Sequence, residues 1–257
     1  MSKLAPEDKF LDLSDYGRPL ARLFANQLKT TSFTPIHVTL LFGICGLIAI
    51  FCILNGYFIA AGIFIILKSI IDAADGELAR IKQTPSYSGR YLDSIFDLIL
   101  NFLFLMTFCY VAKTSVFYAF LAFICLQLQG TLYNYYYVIL RNKSVGADTT
   151  SKVFEYKSPR AFAGENQKVV DVLFRIYLAV YGVFDKTIHF LDQDAYKVKT
   201  FPNWFMTLVS LYGLGFQLLI IAFMLNFDLI DYIIPFFAFY TVIIFVLIGI
   251  RKIVFEV

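Results

Sequence analysis

Asp72-Ala73-Ala74-Asp75-Gly76-Glu77-Leu78-Ala79-Arg80 and, after eight intervening residues, Gly89-Arg90-Tyr91-Leu92-Asp93-Ser94-Ile95-Phe96-Asp97 decide how this chain is read. The two halves lie at facing ends of long apolar runs. A carboxylate held within lipid costs about 3 kcal/mol, so an ionisable residue there marks a functional site by default. On a helix Asp72 and Asp75 are three apart and share a face, and Ala79 continues that face with a small side chain. Asp93 and Asp97, four apart, share a face of the next helix. The connection through Thr84-Pro85-Ser86 is short, so the two helices are expected to pack antiparallel with their four carboxylates together. Such charges repel strongly at low dielectric. Divalent cations are the natural compensation, and hard carboxylate oxygens with no neighbouring His or Cys suit Mg²⁺ or Mn²⁺, not zinc.

Working outward, the 257 residues are 59% hydrophobic and 16% charged, well below the roughly 25% charge of a soluble domain. Crossing a hydrocarbon core takes about 20 helical residues. Six stretches qualify, at about 35–54, 58–82, 89–111, 116–140, 202–225 and 229–250. The expected fold is an all-α integral membrane bundle of six transmembrane helices, with 1–257 as a single domain. Residues 1–33 form a leader whose 6–29 portion reads as an interfacial amphipathic helix or helix pair, broken at Gly17 and Pro19. The first 30 residues are charged and lack the apolar core of a cleavable signal peptide. Residues 141–201 are a polar insertion, cytoplasmic or interfacial. Within it 167–191 has helical periodicity but carries Asp171, Arg175, Asp185 and Lys186. Cys45, Cys52, Cys109 and Cys125 lie in apolar runs without metal-site spacing and read as small hydrophobes.

Six spans put both termini on one side, with the 82–89 connection, the 141–201 insertion and Arg251-Lys252. Nearly all Lys and Arg fall there, against Lys113, Asp228 and Asp231 opposite. The positive-inside rule makes the basic side cytoplasmic. The aspartates lie on that side, within reach of a water-soluble nucleotide.

The pattern Asp72-x2-Asp75-Gly76-x2-Ala79-Arg80-x8-Gly89-x3-Asp93-x3-Asp97 resembles the signature of the CDP-alcohol phosphotransferases. Those membrane enzymes join an alcohol to a phosphate taken from a cytidine diphosphate donor. The resemblance implies Asp72, Asp75 and Asp93 as metal ligands, and Asp97 as the general base with a share in metal binding. Gly76, Ala79 and Arg80 match positions lining the cytidine diphosphate pocket. Ser86 falls where a small hydroxyl residue lies near the donor, and Gly89 lets the loop approach it. Two Mg²⁺ or Mn²⁺ ions per site are implied. The implied partners are a CDP-linked donor (CDP-diacylglycerol or a CDP-alcohol), an alcohol or diacylglycerol acceptor and membrane lipids, in phospholipid synthesis. No nucleic acid is expected, and a homodimer is left open. Thr34-Pro35-x3-Thr39 resembles a stretch before the first span of many members, with Ile36 where Asn is frequent. The alternative class is a transporter or channel with an acidic cation site, which predicts carboxylates at mid-membrane on repeated halves; no repeat is present. A catalytically inactive scaffold of the same fold is disfavoured by the intact signature.

Lys68, four residues before Asp72, is expected to be a structural ion pair more than a substrate contact. Tyr133, Tyr135, Tyr136 and Tyr137, with Gln127 and Gln129, read first as an interfacial aromatic belt and second as a site for an alcohol or choline-like cation. His37 and His189 read as interfacial. Arg141 and Lys143 face lipid headgroups or solvent.

Overall fold

The computed structural model describes Leu4, residues 8–144 and residues 155–255. Residues 1–3 and 5–7 of the leader and 145–154 of the insertion lie outside them. Among the described residues every regular element is helical. A 3₁₀ turn at Leu13–Asp15 leads into α1 (Arg18–Leu28), then α2 (Pro35–Leu54), α3 (Phe58–Lys82), α4 (Tyr87–Val111) and α5 (Val116–Ser144). After the insertion come α6 (Gln167–Leu191), α7 (Asn203–Val209), α8 (Leu214–Asn226), α9 (Ile230–Tyr240) and α10 (Ile243–Val254).

Local chemistry sets the boundaries. Thr34 caps α2 in a capping box: its side chain accepts from the His37 N–H, and the His37 ring accepts from the Thr34 N–H at 3.0 Å. His37 is thus a helix cap and not only an interfacial ring. Asn55-Gly56 makes the expected tight turn, with Gly56 at φ 75°. α3 ends on Gln83 in the left-handed conformation, at φ 53°. Ser86 then caps α4 by accepting from the Gly89 N–H at 2.8 Å.

Among the described residues four stretches are long and apolar enough to cross a membrane: α2, α4, Val116–Lys143 of α5, and Ile230–Val254. α7 and α8 together make a fifth if their chain, bent by 53° around Gly213, is counted as one span. α3 has the length but carries Lys68, Asp72, Asp75, Glu77, Arg80 and Lys82. By composition alone, then, the structure carries four or five spans where six are expected.

The antiparallel packing expected between the signature helices is also modified. α3 packs on α2, α1 and α8, whereas α4 packs on α2, α5 and α6, and α3 and α4 make little close contact. The gap between them takes the charged side chains. α2 braces both, with small residues at the contacts; a Cβ at Gly46 would come 2.7 Å from Leu100. The leader is tucked into the bundle. The backbone and side chain of Ser14 lie against Gly213 and Gly215, where no Cβ fits, and the Leu13 N–H donates to Ser210 Oγ at 3.0 Å. Ala21 and Ala25 are fully buried, while Leu11, Leu20 and Leu23 face outward.

Tyr133, Tyr135, Tyr136 and Tyr137 of α5 do not form an exposed belt. Tyr135 and Tyr136 are buried, donating to the Asp192 carbonyl at 3.0 Å and its carboxylate at 2.7 Å. Tyr133 donates to Asp12 at 2.6 Å, tying α5 to the leader. Asp192 also pairs with Arg251, both buried. The hydroxyls of Tyr133, Tyr135 and Tyr136 find partners inside the bundle, which removes the reason for them to seek the headgroup region. Gln129 donates to the Phe237 carbonyl at 2.9 Å and accepts from Gln217 at 3.0 Å, joining α5 to α9 and α8.

Candidate active site

Asp72, Asp75 and Asp93 each offer a carboxylate oxygen, and these oxygens lie within 4.8 Å of one another across the α3–α4 gap. Asp75 accepts from the Thr39 hydroxyl of α2 at 2.8 Å. Asp93 Oδ1 is buried with no hydrogen-bond partner. A buried, unpartnered carboxylate oxygen beside two more carboxylates is a costly arrangement for protein alone, and the all-oxygen donor set fits a hard divalent cation. Asp97 lies outside this triad. It is paired with Lys68, which is fully buried and also within 3.4 Å of Asp72. The Lys68 ammonium sits 4.8 Å over the Phe42 ring. The expected Lys68–Asp72 pair is therefore present, and Asp97 is the partner that the i,i+4 rule could not reveal.

Beyond the triad, Glu77 is buried and gathers three arginines: Arg18 at 2.7 Å, Arg80 at 3.0 Å and Arg22 at 3.5 Å. Arg80 keeps a buried Nε without a partner. Arg18, Gly76 and Arg80 line one cavity of about 300 Å³ with all four aspartates. The remaining signature positions play other parts. Ser86 and Gly89 form the α4 cap, and the Ala79 carbonyl receives the Thr84 N–H at 3.0 Å at the end of α3. These three lie away from the cavity lining.

The insertion reaches back to the signature. Glu165 accepts from Ser86 Oγ at 2.8 Å, the Ser88 N–H at 2.8 Å, the Tyr87 N–H at 3.1 Å and the Ser88 hydroxyl. Burial pushes its carboxyl up, but the bonds from Ser88, Ser86 and Tyr87 outweigh this and hold it below the usual carboxylate range. Arg90 donates to Glu155 at 2.6 Å, as does the Tyr91 hydroxyl. The start of α4, and with it the placement of Asp93 and Asp97, is thus clamped by two glutamates of the insertion. Glu77 could have been noticed as an extra carboxylate within the motif. Glu155 and Glu165 follow the residues they hold by more than 60 positions and leave no local signal.

A second cavity, of about 240 Å³, opens on the other side of Asp97. It shares Asp97, Tyr133 and Leu214 with the first. Two cavities thus meet at one carboxylate, with a carboxylate triad and arginines in one of them. The comparisons place this arrangement in a family. The model of the CDP-alcohol phosphatidyltransferase family matches residues 33–229, and the chain belongs to that family. A bifunctional IPC transferase and DIPP synthase from Aquifex aeolicus (strain VF5) is 35% identical over 85 residues, which cover 32% of this chain and 19% of that protein. The chain thus aligns with about a fifth of the length of that curated relative. No solved structure matches the chain.

Proposed function

We propose that this protein transfers a substituted phosphate from a CDP-linked donor to an alcohol hydroxyl, releasing CMP, as a step of phospholipid synthesis. The observation that carries the reading is the single cavity holding Asp72, Asp75, Asp93 and Asp97 together with Arg18 and Arg80. Asp72, Asp75 and Asp93 are the residues to hold Mg²⁺ or Mn²⁺, with two ions per site as the family resemblance implies. When bound, such ions supply charge compensation to the diphosphate and to the departing CMP. Arg80 and Arg18, oriented by Glu77, give fixed cationic contacts to the same diphosphate. Gly76 leaves the α3 backbone open to the nucleotide: an added Cβ would meet only the Arg80 guanidinium, at 3.5 Å. Asp97 takes the proton of the acceptor hydroxyl. The hydroxyl oxygen bonds to the phosphorus that carries the substituent, and the bond from that phosphorus to the oxygen of CMP breaks. Lys68 orients the Asp97 carboxylate toward the junction of the two cavities.

The same reading takes α3 as a sixth span whose charges face the site and not lipid, keeps α1 at the membrane interface through Leu20 and Leu23, and puts both termini and the site on the cytoplasmic side. Purified protein with Mg²⁺ or Mn²⁺ and a panel of CDP-linked donors should release CMP only when the matching alcohol is added. Release that survives exhaustive chelation would refute the metal role, and near-normal turnover by Asp97→Asn would refute the base.

A further inference from the structure

The second cavity lies between α4, α5, α6 and α8 and has a distinctive chemistry. Its side chains include Asp97, Asp185, Gln127, Asn134, Tyr177 and Tyr181, with no Lys, Arg or His among them. Asp185 comes from α6, in the insertion. It is half-buried and makes no hydrogen bond or ion pair with any described residue. Gln127 is 5% exposed, and its Nε2 is buried without a partner. Tyr177 and Tyr181 stack with centroids 5.1 Å apart, and the Tyr181 hydroxyl is anchored on the Ser94 carbonyl at 2.9 Å. The nearby cations are committed elsewhere: Arg90 to Glu155 beneath Tyr91 and Tyr177, and Lys68 to Asp97 and Asp72. Burial and the neighbouring Glu155 push the Asp185 carboxyl up, to about 7, against the pull of Arg90.

We infer that this cavity selects a small amino alcohol, with Asp185 as the counter-ion of its positively charged nitrogen and the faces of Tyr177 and Tyr181 beside it. The inference rests on the phosphotransfer reading and names the headgroup for it. A phosphorylated alcohol would bring a dianion to a pocket whose only charges among the described lining residues are two carboxylates, with no cation among those residues to receive it. A neutral polyol could donate hydrogen bonds to Asp185 but would bring no opposite charge to it. An ammonium satisfies Asp185 and meets the negative faces of the rings. The cavity volume equals roughly eight waters of liquid, enough for a headgroup and too small for acyl chains. Because it meets the donor cavity at Asp97, the alcohol end of the bound headgroup is delivered to the reacting centre.

The same ammonium can arrive in two ways: as a free amino alcohol attacking a lipid CDP donor, or already esterified in a CDP-amino alcohol that meets a lipid alcohol. CMP release is therefore measured in both arrangements. Ethanolamine is compared with 1-propanol, its methyl isostere, with glycerol and with glycerol 3-phosphate; CDP-ethanolamine is compared with the CDP ester of 1-propanol. The ammonium compound should be preferred at least tenfold in kcat/KM in one arrangement. Asp185→Asn should raise its KM about tenfold or more while leaving the isostere unchanged, and Asp185→Glu should recover part of the loss, the pattern of a lost ground-state contact. If Asp185→Asn does not fold, ligand-detected NMR on the unaltered protein decides: contact by an ammonium compound but not by its isostere supports the inference, and equal or absent contact by both overturns it. CMP formed best with a neutral or phosphorylated partner, or an equal loss for every substrate in Asp185→Asn, overturns it while the phosphotransfer reading stands. No CMP from any pair refutes that reading and this inference with it.

Discussion

Replacing Lys68 by Met keeps an unbranched side chain, one atom shorter, and removes its charge. Lys68 has no exposed surface and is, among the described residues, the one cation bonded to Asp97 and Asp72, whose side chains are 13% and 20% exposed. Deleting one partner of a buried ion pair costs about 3–5 kcal/mol because the other charge is stranded. The partial exposure of the two aspartates places the expected cost at the lower end, about 3 kcal/mol. Loss of the contact with Phe42 adds about 0.5–1 kcal/mol. For a chain of this size about 2–4 °C of Tm accompanies each kcal/mol, so the midpoint in detergent with chelator should fall by roughly 7–16 °C. Saturating Mg²⁺ should recover much of that, because a divalent cation on the triad takes over charge compensation for Asp72 and binds the folded state alone. Thermal melts of both proteins, with EDTA and with Mg²⁺, measure this. Steady-state kinetics should show kcat/KM reduced for every acceptor alike. A selective rise in the KM of one acceptor, with melting and donor binding unchanged, would show that Lys68 is a substrate contact and that the ion-pair reasoning is wrong.

Asp97→Asn keeps shape and leaves the triad intact, so turnover should vanish while metal-dependent donor binding persists; equilibrium binding of a CDP-linked donor checks it. Glu165→Gln should destabilise the start of α4 by about 1–2 kcal/mol. The Glu165 carboxyl is held below its ordinary value of 4.5, so its contribution is present above that pH and is lost as pH falls through the folded value; acid titration of melting should show a shallower loss in the variant. Arg251→Met leaves the fully buried Asp192 without its cation, and a loss of about 3–5 kcal/mol should appear in melts with little metal dependence. In a background without native cysteines, single cysteines at Ser2 and Ser151, which lie outside the described residues, should react from the cytoplasmic side only, and one at Asp228 from the opposite side only.

The sequence made the carboxylate triad legible because helical spacing and a short connection together restrict where four aspartates can go. It failed where partners come from far along the chain. The Lys68–Asp97 pair crosses from α3 to α4, Asp192 meets Arg251 across 59 positions, and Glu165 holds Ser86 and Ser88 from nearly 80 away. None of these pairs has a local period to reveal it. The reading of the α5 tyrosines failed for a related reason. An aromatic residue with a polar tip suits an interface and a hydrogen-bonded interior equally well, and only the positions of Asp12 and Asp192 decide between them.

The count of six spans is met only in part by length and composition, for a different reason, and the shortfall bears on function. A test of length and apolarity passes α2 and α4 and stops at α3, because α3 carries the site. Its charges do not need lipid to tolerate them. Lys68 is matched to Asp72 and Asp97, Asp75 to Thr39, and Glu77 to Arg18 and Arg80, so the helix presents paired groups inward. The exception on the neighbouring helix is Asp93 Oδ1, buried and unpartnered. The bundle pairs most charges of α3, Arg80 Nε aside, yet leaves this carboxylate oxygen bare beside Asp72 and Asp75, a costly arrangement that calls for compensation. A divalent cation meets that need, and its removal should therefore destabilise the unaltered protein as well as silence it. Equal melting of the unaltered protein with EDTA and with Mg²⁺ would remove the strongest structural argument for the metal.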